Sequence, residues 1–330
     1  MTSKRKRILL IAAVSILVLL LAIAAGVYWM VGPAVRCELP DEVTADAGWT
    51  IREIISGGVK RCYYLYAPPG YDPAQDLPVV ISFHGFMSNP ESHGLITGWH
   101  KLAAEENFLV AYPQGTEFPQ RWESGPDWHV KVDDVQFFRD MVADLSESAA
   151  VDPTRIYVNG FSNGGGMAQR IGCDAPELVA AIGSVAGAVE PAQQGCTPSR
   201  PVPAMVFHGT DDPVVLYDGG EVEYVPLKWL AGAIGAEPIF VGVNWVPNWA
   251  EHNGCDPTPQ PIESIGSVEG VRYTNCQDVA DVVFYSVNGA GHTWPGGWPI
   301  PGGLGKTNKD IDATEVMWRF FQGFSLEEQP

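Results

Sequence analysis

The chain has 330 residues, with 39 acidic against 20 basic side chains and a formal charge of −19. A balance so acidic makes nucleic acid and anionic membrane surfaces poor partners and favours solubility outside the cell. The length suits one large domain as well as two small ones, and no internal repeat or low-complexity linker divides it.

The chain opens on Lys4-Arg5-Lys6-Arg7, followed by an uncharged segment from Ile8 to Val31. That segment is long enough to cross a hydrocarbon core of roughly 30 Å as a helix. The preceding basic cluster would leave the N-terminus in the cytoplasm and export the rest. A cleaved signal peptide is the rival, because Ala22-Ile23-Ala24 fits an A-x-A site. Residues 1–31 are therefore read as a signal anchor or signal peptide, and 32–330 as an extracytoplasmic domain. This domain keeps 16 basic and 39 acidic residues, a charge of −23, and all six cysteines. An even cysteine count beyond such a segment points to disulfides, and sequence order suggests Cys37 with Cys62, Cys173 with Cys196, and Cys255 with Cys276.

Trp49 to Ile55 and Val59 to Ala67 read as a hairpin around Ser56-Gly57-Gly58. Leu77 to Phe83 is a continuous apolar strand of the buried kind, ending in His84-Gly85-Phe86. The glycine allows close backbone approach, which makes the Phe86 N–H a candidate oxyanion donor; His84 reads as a residue that holds the loop. A helix is expected from Trp99 to Asn107 and a strand from Phe108 to Tyr112. The Gly115 to Val130 loop contains Trp122 and Trp128, either of which would stack on a substrate ring or close the surface of the site. Asp133-Asp134 opens a helix with Val135, Phe138, Val142 and Leu145 on one face, and reads as an N-cap with a dipole partner.

Ile156 to Met167, I-Y-V-N-G-F-S-N-G-G-G-M, is a strand, a sharp turn and a helix start, and Gly160 to Gly164 supplies G-x-S-x-G. A serine hydroxyl is a poor nucleophile and must project toward both substrate and a base, from a turn that glycines on either side make sterically possible. Ser162 is the candidate nucleophile. The Asn163 N–H, at a helix N-terminus that favours negative charge, is the other candidate oxyanion donor. Strands follow at Val179 to Val185 and Ala204 to Phe207. The second leads into His208-Gly209-Thr210-Asp211-Asp212, where the spacing favours Asp212 over Asp211 as the acid. Residues 217–276 read as an irregular insertion over the site. The last strand, Asp281 to Val287, delivers His292 in a glycine-rich loop, with Trp294 either lining the site or packing the loop. Ala313 to Phe324 reads as a helix. Gly302-Gly303-Leu304-Gly305-Lys306-Thr307 is rejected as a phosphate loop, since Ile300 replaces the first glycine and Pro299 and Pro301 replace the strand.

The order Ser162, Asp212, His292 is that of an α/β-hydrolase triad, and strand–helix alternation indicates a mostly parallel sheet with helices on both faces. The pieces Tyr64–Tyr71, Val79–Phe86, Val132–Val135, Asp152–Gly164, His208–Val215, Trp249–Cys255 and Gly291–Gly297 together resemble secreted α/β-hydrolase esterases of the polyhydroxybutyrate-depolymerase and feruloyl-esterase type. The resemblance spans about Cys62 to Phe324. It implies a serine esterase with Ser162 as nucleophile, His292 as base, Asp212 as orienting acid and the Phe86 and Asn163 amides as oxyanion hole. The substrate it implies is a feruloyl-type, hydroxyalkanoate or other small acyl ester, free or polymeric, attacked without metal or cofactor. Two other readings keep the fold: a serine exopeptidase, and a membrane-anchored binding protein without catalysis.

Overall fold

The computed structural model describes residues 37, 48–116, 119–125, 131–189, 195–233 and 239–326. The segment from Ile8 to Val31 and Trp128 lie outside them. Among the described residues no helix is long and apolar enough to cross a membrane.

Twelve strands form among the described residues: β1 (Trp49–Ser56), β2 (Val59–Tyr66), β3 (Leu77–Phe83), β4 (Leu109–Pro113), β5 (Val151–Phe161), β6 (Ala181–Val185), β7 (Ala204–Gly209), β8 (Gly220–Glu221), β9 (Ile239–Phe240), β10 (Gln260–Ile265), β11 (Val268–Tyr273) and β12 (Val282–Val287). Seven α-helices of the described residues accompany them: α1 (Pro90–Thr97), α2 (Trp99–Glu106), α3 (Asp134–Ser148), α4 (Asn163–Asp174), α5 (Val225–Ala233), α6 (Trp245–His252) and α7 (Ala313–Phe321). Ten strands make one sheet in the order β1-β2-β4-β3-β5-β6-β7-β12-β11-β10, and β8 pairs with β9. The six from β4 to β12 are parallel, while a hairpin closes each flank antiparallel. This is an α/β-hydrolase architecture.

The central strands are apolar because they are covered on both sides: every residue of β3, β4, β6 and β7 is buried. One core holds Val79, Ile81, Phe138, Met141 and Ile171, with α3 and α4; the other holds Val80, Phe108, Tyr157, Phe207 and Trp318, with α2 and α7. Asp133 caps α3, accepting from the Gln136 N–H at 2.9 Å. Asp134, in the first turn of α3 where a dipole partner belongs, has a second role. It is fully buried against Arg61 at 2.7 Å, and Arg61 in turn lies 3.9 Å from the centre of the Phe137 ring. The cysteines pair 37–62, 173–196 and 255–276, closing sequence separations of 25, 23 and 21 residues. Chain entropy gives each roughly 3 kcal/mol of stabilisation.

Residues 217–276 are more regular than their composition indicates, since they hold α5, α6 and the hairpin β10–β11 that extends the main sheet at its edge. β10, Gln-Pro-Ile-Glu-Ser-Ile, is almost wholly exposed. An outermost strand needs no hydrophobic alternation and tolerates proline, so nothing in its pattern marks it as a strand.

The fold puts four loops at one end. His84-Gly85-Phe86 follows β3, Ser162 follows β5, Asp212 follows β7 and His292 follows β12, and these strands run parallel. β3 connects to β4 on one side, whereas β5 leads to β6 on the other, so the sheet reverses its direction of winding between β3 and β5. Ligands of open α/β sheets bind outside the carboxyl ends at such a switch point.

Candidate active site

Ser162 stands between β5 and α4 with φ 56° and ψ −120°, a conformation that costs a non-glycine residue about 1–3 kcal/mol. Main-chain bonds on both sides hold it there. Its N–H donates to the Val185 carbonyl at 3.0 Å, and its carbonyl accepts from the Gly166 and Ala188 amides at 3.1 and 2.8 Å. The flanking glycines are required by contact. A Cβ on Gly160 would lie 2.1 Å from the Gly164 carbonyl oxygen, and one on Gly164 would lie 2.1 Å from that of Phe83.

Asp212 and His292 meet. The His292 Nδ1 lies 2.7 Å from Asp212 Oδ2, while Asp212 Oδ1 accepts from the Val214 and Val215 amides at 2.8 and 2.9 Å. Asp211 is exposed and faces Thr210, so Asp212 is the acid that reaches the imidazole. Burial alone would raise the Asp212 carboxyl, yet the His292 imidazole and the surrounding donors hold it below the ordinary carboxylate range. The carboxylate therefore fixes a proton on Nδ1 and leaves Nε2 as the basic nitrogen. The His292 ring packs on Phe161, the residue before Ser162, with centroids 4.8 Å apart. All three side chains are nearly enclosed, Ser162 being the most exposed at 8%.

The His292 loop is strapped by the segment rejected as a phosphate loop. The His292 N–H donates to the Leu304 carbonyl at 2.7 Å and the Gly291 N–H to Lys306 at 3.0 Å. A Cβ on Gly291 would come within 2.1 Å of the Leu304 oxygen, so the glycines on both strands of this contact permit its closeness.

His84 is buried and holds the loop, as expected from its place at a strand end. Its Nε2 accepts from the Gly115 N–H at 3.0 Å, its Nδ1–H donates to the Gly85 carbonyl at 2.8 Å, and burial pulls its pKa down to about 4. The turn it supports touches the serine: a Cβ on Gly85 would lie 3.3 Å from the Ser162 Cβ. Phe86 follows, half-buried, beside an apolar cluster of Ala188, Val214, Val215, Val222 and Phe240.

Two expected substrate contacts are corrected. Trp122 and Trp294 have no exposed surface. The Trp294 indole N–H donates to Thr314 Oγ1 at 2.9 Å, tying the His292 loop to α7; that of Trp122 donates to the His84 carbonyl at 2.8 Å. Sequence position put both near the site, but only the completed core shows their faces covered. Composition also gave no sign of the Asn163 side chain, which bonds the Trp122 main chain and Ser124. Nor did it mark His208, whose Nε2–H donates to the Val215 carbonyl beneath the acid turn at 2.7 Å. Among the described residues, no group of three or more His, Cys, Asp or Glu side chains gathers as a metal site would.

The Esterase family model matches residues 57–260, more than half of the chain. The chain belongs to the Esterase family. This esterase is 34% identical to "Feruloyl esterase B" of Piromyces equi over 68% of its own length and 41% of that protein's, so it spans less than half of that relative. It is 31% identical to "Putative esterase NocK" of Nocardia uniformis over 84% of each chain. Among solved structures, an acetyl xylan esterase from Aspergillus awamori superposes with a TM-score of 0.57 at 15% identity, covering 83% of this chain and 99% of that one, which speaks for the fold alone. Family match and relatives place the chain among the α/β-hydrolase esterases.

Proposed function

We propose that the protein hydrolyses carboxylic esters outside the cytoplasm through an acyl-enzyme on Ser162. The observation that carries this reading is the Asp212–His292 bond of 2.7 Å at the same sheet end as the strained serine. His292 Nε2 takes the Ser162 proton as Oγ attacks the ester carbonyl, and Asp212 stabilises the imidazolium that results. The Asn163 and Phe86 amides hold the tetrahedral oxyanion, a donor of this kind being worth about 2.7–4 kcal/mol. Collapse releases the alcohol, protonated by His292. Water, deprotonated by His292, then attacks the acyl-enzyme and releases the acid and free Ser162.

Feruloyl-type esters are the first substrate class to test, because several relatives carry that name; hydroxyalkanoate and small acyl esters follow. Three disulfides suit an oxidising compartment, and the basic cluster before the Ile8 to Val31 segment supports export, with retention in the membrane if that segment stays uncleaved. The reading is tested by turnover of methyl ferulate, short acyl 4-nitrophenyl esters and a polyester film, with Ser162→Ala as control. Activity that survives in Ser162→Ala would overturn the assignment of the nucleophile.

A further inference from the structure

The two amides assigned to the oxyanion hole belong to different elements, which pack closely where Gly164 meets the Phe83 and His84 carbonyls. Asn163 begins α4, and Phe86 lies in the turn after β3. Trp122 is bonded to both parts. Its main-chain N–H donates to Asn163 Oδ1 at 2.7 Å and its carbonyl accepts from Asn163 Nδ2 at 3.1 Å. Its indole N–H donates to the carbonyl of His84 at 2.8 Å, two residues before Phe86. The ring is fully buried, edge-on to Phe83 with centroids 4.9 Å apart, so it has a single seat. Its own loop is fixed as well, for the neighbouring Glu123 N–H donates to Asp134 Oδ2 at 2.7 Å, the carboxylate paired with Arg61.

We propose that Trp122 is a positioning residue that sets the separation of the two oxyanion donors, a role that rests on the assignment of the Asn163 and Phe86 amides to that hole. An oxyanion hole works because its donors stand in place before charge develops, at 2.7–3.1 Å from where the oxygen will be. Main-chain bonds from Trp122 fix one donor's helix, and the indole fixes the other donor's turn. Losing the indole N–H leaves the His84 carbonyl without this partner and frees the turn to shift. The effect falls on the tetrahedral state, where the negative oxygen forms, and spares the bound ester.

The test replaces Trp122 in the full chain by 3-benzothienyl-alanine, which keeps the shape of the ring and lacks the N–H, with Trp122→Phe as a second variant. Active sites are titrated with a fluorophosphonate so that rates refer to competent enzyme. With 4-nitrophenyl acetate, kcat per titrated site falls about 10- to 100-fold, less than the 10²–10³-fold cost of deleting a donor. KM stays within about twofold, and phenylboronic acid, which forms an anionic tetrahedral adduct on the serine, binds more weakly by the same factor as kcat falls. A purely structural role would lower the melting temperature and the titrated fraction while leaving kcat per site unchanged, and that result overturns the proposal. So does a loss of kcat with full affinity for the boronic acid. Wild-type enzyme that fails to label at Ser162 would remove the catalytic reading itself; labelling at Ser162 with unaltered variants removes only the role of Trp122.

Discussion

Replacing Asp212 by asparagine changes few atoms and should nearly abolish turnover, for a reason visible in the hydrogen bonds. Asp212 Oδ1 accepts from two amides, Val214 and Val215, while Oδ2 accepts from His292 Nδ1–H. An asparagine must keep its oxygen toward the two amide donors, because its NH₂ there would oppose both. The NH₂ then faces His292 and donates to Nδ1, which moves the imidazole proton to Nε2. The nitrogen that should receive the Ser162 proton is thereby occupied, and the developing imidazolium also loses its carboxylate. Loss of the correct tautomer in a triad lowers kcat by about 10⁴, some 5.5 kcal/mol of barrier. The assay is steady-state hydrolysis of 4-nitrophenyl acetate at pH 7.5, with melting temperature followed alongside. The neighbouring Asp211→Asn, at an exposed residue without a bond to the imidazole, should stay within about twofold of wild type. Asp212→Asn retaining a tenth of the wild-type kcat would refute this account of the acid.

Further consequences concern stability. His84 is buried neutral with its pKa pulled down to about 4, so between pH 6.5 and 4 the unfolded chain binds a proton that the folded one refuses. Stability should therefore fall on acidification through this window, by about 3 kcal/mol for this group alone, and a melting temperature flat from pH 7 to 4.5 would contradict it. Arg61→Ala should cost about 3–5 kcal/mol in chemical denaturation by stranding the buried Asp134, and the double change Arg61→Met with Asp134→Leu should cost less; equal losses would argue against a buried-charge penalty. Cys255→Ser with Cys276→Ser removes a crosslink spanning 21 residues and should lower unfolding free energy by roughly 3 kcal/mol, read by urea titration.

What the sequence revealed depended on how local each cause was. β3 was legible because burial on both faces leaves an unbroken apolar run, and the sharp turn at Ser162 because it excludes side chains at 160 and 164. Asp212 was separated from Asp211 by spacing and then by the bond to His292. β10 was illegible because an exposed edge strand is under no hydrophobic constraint. α6 carries Pro247 near its start, and α1 carries Gly94 in its body, which blurs a helical pattern. Trp122 and Trp294 show a different limit: a tryptophan beside a catalytic loop reads alike whether its face is open to substrate or its N–H holds the loop in place.

The central claim is that Ser162 is the nucleophile, and one measurement addresses it directly. The full chain is treated with a fluorophosphonate and the adduct located by peptide mass spectrometry, beside Ser162→Ala. A single adduct on Ser162, absent from the folded variant, is the predicted result. An adduct on another serine, or none on folded wild-type protein, would contradict it.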